Sequence, residues 1–84
     1  MHWIKRSATQ VVLYGKPNCH LCQEVDHVLQ TMSRRYRLEV THVDITSDPA
    51  LYRQYDIRIP VVVIGDIVLE APIDVRSLRG ALRR

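Results

Sequence analysis

The fold of this chain is decided by one heptapeptide, Lys16-Pro17-Asn18-Cys19-His20-Leu21-Cys22. It follows the apolar run 11–14 and opens a helical pattern that continues to about Met32. Two cysteines separated by two residues at a helix start can close a small disulfide ring. The unpaired N–H groups and positive dipole at that helix end stabilise a thiolate on the first cysteine. Because a thiolate is the nucleophile of thiol–disulfide exchange, this arrangement predicts Cys19 as the attacking cysteine and Cys22 as the resolving one.

The cysteine pair also allows two other interpretations. A CxxC pair forms half of many zinc sites, and it can equally be a structural bridge. The chain has only 2 cysteines, so no second pair completes a zinc site, and two are too few for the disulfide framework of a small secreted protein. These points favour redox chemistry in a reducing cytoplasm, without a bound metal or a required cofactor.

Composition limits the class of protein and its partners. The 84 residues are 46% hydrophobic, which predicts one folded domain over residues 1–84, and we expect it to be monomeric. The chain has a net charge of +3, and its arginines lie near predicted helix ends, where they complement the helix dipole. No set of aromatic side chains that could stack on bases accompanies them, so no nucleic-acid binding is expected. The longest apolar run, 61–64, is too short to span a membrane. Lys5 and Arg6 are not followed by an apolar segment, so no signal peptide is expected.

The N-terminal half predicts a strand and a helix. Residues 1–8 are predicted to be an irregular lead-in, in which Trp3 is expected to pack on the edge of the domain. The β-branched and apolar residues 9–14 predict a strand covered on both faces, and Asn18 is the expected N-cap of the helix. The apolar residues of that helix recur at helical spacing and predict one buried stripe: Leu21, Val25, Val28 and Met32.

Two histidines lie near this unit. His20 is on the solvent side of the helix, where it could pair with Glu24, help to hold the neighbouring thiolate, or simply increase solubility. His42 alternates with apolar residues in the second predicted strand, 37–45, and is expected to be a packed, hydrogen-bonded residue at the core edge. Asp44 is expected to be solvated at the end of that strand.

The C-terminal half predicts two more helices and a β-hairpin. Asp48 as N-cap and Pro49 in the first turn begin a short helix that ends at about residue 55. Strands 61–64 and 67–70 are joined by a two-residue turn, and Asp74 caps a final helix through residue 82. The order is βαβαββα, an α/β fold in which the crossover helix makes the first two strands parallel.

The CxxC motif after the first strand, together with Ile59-Pro60 ahead of a β-hairpin, resembles the thioredoxin superfamily over residues 10–82. The order of secondary-structure elements, βαβαββα, is similar to that of the glutaredoxin branch of this superfamily. The chain resembles most a group of small glutaredoxin-like proteins with a CHLC-type motif. The resemblance implies a four-stranded mixed sheet flanked by helices. It also implies a cis Ile59-Pro60 bond beside the cysteines, with the backbone of Ile59 pairing with the substrate backbone.

The resemblance also bears on glutathione. In glutaredoxins a basic residue before the first cysteine and an acidic residue at the last helix hold the tripeptide, and Lys16 and Asp74 match these positions. The glycine pair that lets the family's chain approach the ligand is replaced by Glu70-Ala71. We therefore expect glutathione to be a weak co-substrate.

Three functions agree with these residues. The first is a glutaredoxin-like thiol–disulfide oxidoreductase that acts on disulfide-containing proteins and receives electrons from a reductase or from glutathione. The second is a metal or iron–sulfur carrier that uses the CxxC. The third is a non-catalytic interaction module with the same fold. Loss of activity on replacement of Cys19, metal bound under reducing conditions, or an extreme reduction potential would distinguish them.

Overall fold

The structure is a computed structural model that describes residues 8–83 of the 84-residue chain. The prediction for Trp3 lies outside the described residues. Four strands and three helices are present: β1 Thr9–Gly15, α1 His20–Met32, β2 Leu38–Asp44, α2 Pro49–Tyr55, β3 Val61–Ile64, β4 Ile67–Glu70 and α3 Val75–Leu82. The order is the predicted βαβαββα, with one additional short 3-10 helix at Ile45–Ser47.

The four strands form one mixed sheet in the order β2-β1-β3-β4. β1 is parallel to β2 and antiparallel to β3, and β3 is antiparallel to β4. The parallel pair follows from the crossover helix α1, and the antiparallel pair β3–β4 follows from the two-residue turn at Gly65, whose φ is 61°. The predicted mixed α/β fold is confirmed.

The sheet is covered on both faces, as the composition of β1 predicts. Val11 and Leu13 point into the main core with α1 and α3. Tyr14 points to the opposite face, where a second cluster is built on Ile45, Tyr55 and Val61. The rings of Tyr14 and Tyr55 lie 4.6 Å apart between their centres. β1 is therefore a central strand packed on both faces, and its end at Gly15 is held firmly.

The start of α1 differs from the prediction by one residue. Asn18 has a φ of 62°, and the N-cap is Cys19. Asparagine tolerates this left-handed conformation better than other non-glycine residues. The chain thus turns one residue before the helix, and the side chain that caps the helix is a sulfur instead of an amide.

The buried stripe of α1 is also shifted from the prediction. Leu21 is 55% exposed, and Val28 is half-buried. The buried positions are Cys22, Val25, Leu29 and Met32. Because Cys22 takes the first inward position of the helix, Leu21 is rotated out of the core onto the surface beside the cysteines.

Predicted caps fix the other two helices. The Asp48 carboxylate accepts a hydrogen bond from the N–H of Ala50, with Pro49 in the first turn of α2. Asp74 and Ser77 form a capping box at the start of α3. β2 ends one residue earlier than expected, because the Asp44 carboxylate accepts hydrogen bonds from Thr46 and starts the 3-10 helix. Within residues 8–83, no helix is long and apolar enough to cross a membrane.

Candidate redox site

Cys19 and Cys22 form a disulfide at the N-terminus of α1, with their Cα atoms 5.2 Å apart. The Cys19 sulfur accepts a hydrogen bond from the N–H of Cys22, with 3.2 Å between Sγ and N. The Cys19 carbonyl oxygen accepts the first intrahelical bond from the N–H of Gln23. The cysteine sulfur therefore takes the position of the oxygen in an ordinary N-cap, against the positive end of the helix.

The two sulfurs lie in different environments. Cys19 is partly exposed, whereas Cys22 is 7% exposed and faces the end of β1. A Cβ atom built on Gly15 would lie 3.0 Å from the Cys22 sulfur and 3.2 Å from its Cβ. Gly15 thus allows the helix to approach the strand closely enough to bury Cys22, while Cys19 remains partly exposed.

The loop before β3 lines a groove together with Leu21, which directly precedes Cys22 in the chain. The Ile59-Pro60 peptide bond is cis, and so is Ala71-Pro72. Pro60 is buried and lines an apolar groove of about 280 Å³. The other lining residues come from α1, the segment after β4 and α3: Leu21, Glu24, Val25, Val28, Ala71, Pro72, Ile73 and Leu78. The exposed Leu21 is thereby explained as one wall of a groove next to the disulfide.

The backbone N–H and the side chain of Ile59 both make contacts within the protein. Its N–H already donates to the carbonyl oxygen of Tyr55, at 3.1 Å. The side chain of Ile59 packs on the second core cluster. Backbone pairing with a substrate would therefore use the Ile59 carbonyl oxygen.

The charged residues assigned to the site from sequence are not all brought together. Lys16 lies 3.8 Å from the carboxylate of Asp56 and lines a different cavity from Pro60. Asp74 caps α3 and lines neither cavity. The backbone N–H of Ser77 donates to the Asp74 carboxylate and is the main reason that its pKa is lowered.

Two further contacts join an acidic side chain to a basic one. His20 and Glu24 are 2.7 Å apart, one turn from each other on α1, and both are largely exposed. Pairing with Glu24 is one of the three roles that the sequence suggested for His20. Glu70, which replaces a family glycine, lies 3.2 Å from the guanidinium of Arg58. Among residues 8–83, no group of three or more histidine, cysteine or acidic side chains could hold a metal ion.

A second cavity, of about 230 Å³, lies on the other side of Cys22. Asp26 and His42 line it and are joined by a hydrogen bond of 2.7 Å between Oδ1 and Nε2. His42 is hydrogen-bonded as predicted, but its side chain is 54% exposed, so its placement in a packed core edge was wrong. Edge strand β2 leaves it open to solvent. Asp26 was missed, although its spacing of four residues from Cys22 puts both on one helix face.

Asp44 lines the same cavity but is already engaged. Its carboxylate accepts hydrogen bonds from the hydroxyl of Thr46 at 2.6 Å and from the Thr46 N–H at 2.9 Å. These bonds stabilise the ionised form and lower the pKa of Asp44. Asp44 is therefore a fixed negative charge at the end of β2, with its carboxylate committed to the 3-10 helix.

Several solved structures have a similar fold, including the three that follow. Protein XcR50 from X. campestris has 31% identity, with 87% of this chain and 95% of that chain covered and a TM-score of 0.75. Protein Ne2328 from Nitrosomonas europaea has 25% identity, with 96% and 99% covered and a TM-score of 0.79. A malarial protein with 13% identity covers 92% of this chain and 96% of its own, at a TM-score of 0.71, and shares the fold alone.

The curated proteins contain no match to this sequence. The family model described as glutaredoxin-like domain (DUF836) matches residues 10–83, from the first residues of β1 to the end of α3. The chain belongs to the glutaredoxin-like domain family.

Proposed function

We propose that this protein is a dithiol thiol–disulfide oxidoreductase. The observation that carries the proposal is the disulfide between a partly exposed N-cap cysteine, Cys19, and a buried one, Cys22. In the reduced protein, the Cys19 thiolate attacks a substrate disulfide, forms a mixed disulfide and releases one substrate thiolate. Cys22 then attacks the Cys19 sulfur, closes the intramolecular bond and releases the second thiolate. Two electrons pass from the protein to the substrate.

The different environments of the two sulfurs support this division of roles. A thiolate on Cys19 would keep the hydrogen bond from the Cys22 N–H and would lie at the positive end of α1. A mixed disulfide must extend into solvent, and Cys19 is the partly exposed residue of the pair whereas Cys22 is buried. Cys22 lies within disulfide distance of Cys19 and is shielded from other partners, which suits a resolving cysteine.

The surroundings support proteins as substrates more than glutathione. The groove beside the cysteines is lined largely by apolar side chains, including Leu21 and Pro60. Lys16 and Asp74, the expected charge contacts for glutathione, are engaged with Asp56 and Ser77 instead. Glu70 adds a carboxylate where the family has glycine, and Arg58 offsets it in part.

We further infer that disulfide-containing proteins are the substrates and that a thioredoxin-reductase type of system supplies most electrons. On this proposal the domain needs no cofactor, and glutathione is a weak co-substrate. We expect a monomer that works in the cytoplasm, without nucleic-acid or membrane partners. The small number of cysteines agrees with a reducing compartment.

The test is a disulfide-reduction assay run in parallel with glutathione and with thioredoxin reductase. Cys19→Ser should abolish turnover, and Cys22→Ser should accumulate a mixed disulfide that mass spectrometry detects. Ser33→Ala, at the far end of α1, serves as a control that should turn over like the wild type. Full turnover by Cys19→Ser would refute the proposal.

A further inference from the structure

The resolving step needs a proton acceptor for Cys22, and this inference rests on the proposed oxidoreductase function. Cys22 must lose its proton before its sulfur can attack Cys19. Burial in apolar surroundings favours the neutral thiol, and Cys22 is 7% exposed beside Leu13 and Gly15. The features that make Cys22 a protected resolving cysteine therefore also make it a poor nucleophile unless a nearby group takes its proton.

We propose that the hydrogen-bonded pair Asp26–His42 accepts the Cys22 proton through the cavity that all three residues line. Asp26 is on α1, four residues after Cys22, so both side chains lie on the same face of the helix. His42 reaches the cavity from β2. The cavity, of about 230 Å³, has room for water at roughly 30 Å³ per molecule.

The hydrogen bond between the pair selects the accepting atom. An ionised carboxylate only accepts hydrogen bonds, so the His42 Nε2 that lies 2.7 Å from Asp26 Oδ1 carries a hydrogen. In a neutral imidazole the other nitrogen, Nδ1, is then the acceptor. When Nδ1 takes the proton, the ring becomes a cation next to the Asp26 carboxylate, which stabilises it. Asp26 is thus a positioning residue, and Gln30 helps to hold it at 3.4 Å.

The other charged groups at the cavity are less suited to this role. Asp44 accepts two hydrogen bonds from Thr46, which favour its ionised form and oppose protonation. Lys16, from the loop before α1, is a cation paired with Asp56 at 3.8 Å. Imidazole, by contrast, gains and loses a proton between pH 5 and 8.

The step balances in both directions. In the oxidation of the protein, the Cys22 proton moves to His42 and the Cys22 thiolate attacks the Cys19 sulfur. The Cys19–Cys22 bond forms, the bond between Cys19 and the substrate breaks, and the substrate leaves as a thiolate. When a donor thiolate later attacks the Cys19 sulfur, the Cys19–Cys22 bond breaks, and Cys22 leaves as a thiolate and takes a proton from the imidazolium. A second donor thiolate then displaces Cys19 from the mixed disulfide and leaves as the donor disulfide.

The test separates the two chemical steps with a chromogenic disulfide, dithiobis-nitrobenzoate, mixed with reduced protein in equal amounts. Attack by Cys19 releases the first coloured thiolate, and resolution by Cys22 releases the second. Cys22→Ser, which should release only the first, identifies the phases. Stopped-flow absorbance then gives a rate for each step in the wild type, Asp26→Asn and His42→Gln. Asp66→Asn in the β3–β4 turn is the matched control.

We expect both variants to keep the first rate within about twofold and to lose on the order of 100-fold in the second at pH 7, as for other general bases. The loss should shrink as pH rises, because hydroxide replaces the imidazole, whereas a packing defect would persist at high pH. Thermal unfolding checks that each variant is folded. His42→Gln, on the solvent-exposed edge strand, carries the test if Asp26→Asn does not fold.

The possible results lead to different conclusions. An unchanged second rate in both variants, or an equal loss in both steps at every pH, overturns the role of the pair. If the wild type itself shows no second release, the proposed oxidoreductase function fails. If the wild type releases both coloured thiolates and both variants do so at the same rates, the oxidoreductase function stands. Only the role of Asp26 and His42 as proton acceptor is then contradicted.

Discussion

Gly15→Ala tests the close contact between the end of β1 and Cys22. The new Cβ would lie 3.0 Å from the Cys22 sulfur and 3.2 Å from its Cβ. Neither side can move easily, because Gly15 is at the end of the central strand β1, paired with Asp44, and Cys22 is buried in α1. Among residues 8–83, only Gly65 is a glycine with positive φ, so alanine fits the backbone of Gly15 and the cost is one of packing.

The expected magnitude follows from two opposing terms. Overpacking a filled site costs about 1–3 kcal/mol. Replacing glycine by alanine returns about 0.4–1 kcal/mol by restricting the unfolded chain. The difference lies between about 0 and 2.6 kcal/mol, so the free energy of unfolding should fall by about 1.3 kcal/mol. For a domain of this size, that lowers Tm by roughly 5–10 °C.

The assay is thermal and denaturant unfolding, with Gly80→Ala as the matched control. Gly80 is inside α3, and a Cβ built on it meets nothing within 4 Å. This control should gain about 0.5–1 kcal/mol, since alanine is the better helix former. Under reducing conditions, Cys22→Ala should lessen the cost of Gly15→Ala because it removes the nearest atom. A Gly15→Ala protein as stable as Gly80→Ala would refute the contact.

Three further predictions concern the site and its edges. In the reduced protein, alkylation across pH should show one fast thiol, Cys19, that titrates below the ordinary value of about 8.5, and two identical titrations would contradict this. Asp74→Ala should lower stability at neutral pH and flatten its pH dependence below about pH 4, measured by denaturant unfolding. Hydrogen bonds from Ser77 lower the pKa of Asp74 in the folded protein relative to the unfolded chain. The ionised Asp74 carboxylate therefore stabilises the folded state at pH values above its unfolded-state pKa. This stabilisation is lost as the pH falls through the folded-state pKa. Glu70→Gly with Ala71→Gly should raise turnover of a glutathione mixed disulfide several-fold, by removing a like charge worth about 1 kcal/mol and restoring backbone approach. Wild-type turnover that the double variant does not improve would contradict that reading.

The fold could be predicted because strong local signals agreed with each other. The strand residues 9–14 stop at a turn that leads into a helix, and the two-residue turn at Gly65 fixes an antiparallel pair. Asp48 and Asp74 both cap the helices that their spacing predicted. Each of these signals depends on neighbours in sequence, which is why the order of elements was predicted correctly.

The details of the site depend on contacts between distant segments, and sequence alone did not give them. A shift of the cap from Asn18 to Cys19 changes which face of α1 turns inward, and it moves Leu21 from the predicted core into the groove wall. The hydrogen bond from the Ile59 N–H to the Tyr55 carbonyl oxygen joins the loop before β3 to the end of α2. No local sequence pattern predicts this bond. Asp26 and His42 are 16 residues apart and meet only because α1 crosses over next to β2.

The cap at Cys19, the glycine at Gly15 and the cavity beside Cys22 are parts of one geometric solution. Placing a sulfur at the N-cap fixes the next inward position three residues later, so the second sulfur must face the end of β1. That strand end can accept it only if its last residue has no side chain, which is glycine here. Burial then protects Cys22 from unwanted partners but also hinders its ionisation, and the next residue on the same helix face, Asp26, borders the cavity from which a proton can leave. On the proposed function, the same helix therefore stabilises a thiolate on Cys19 and places Asp26 on the helix face that Cys22 occupies.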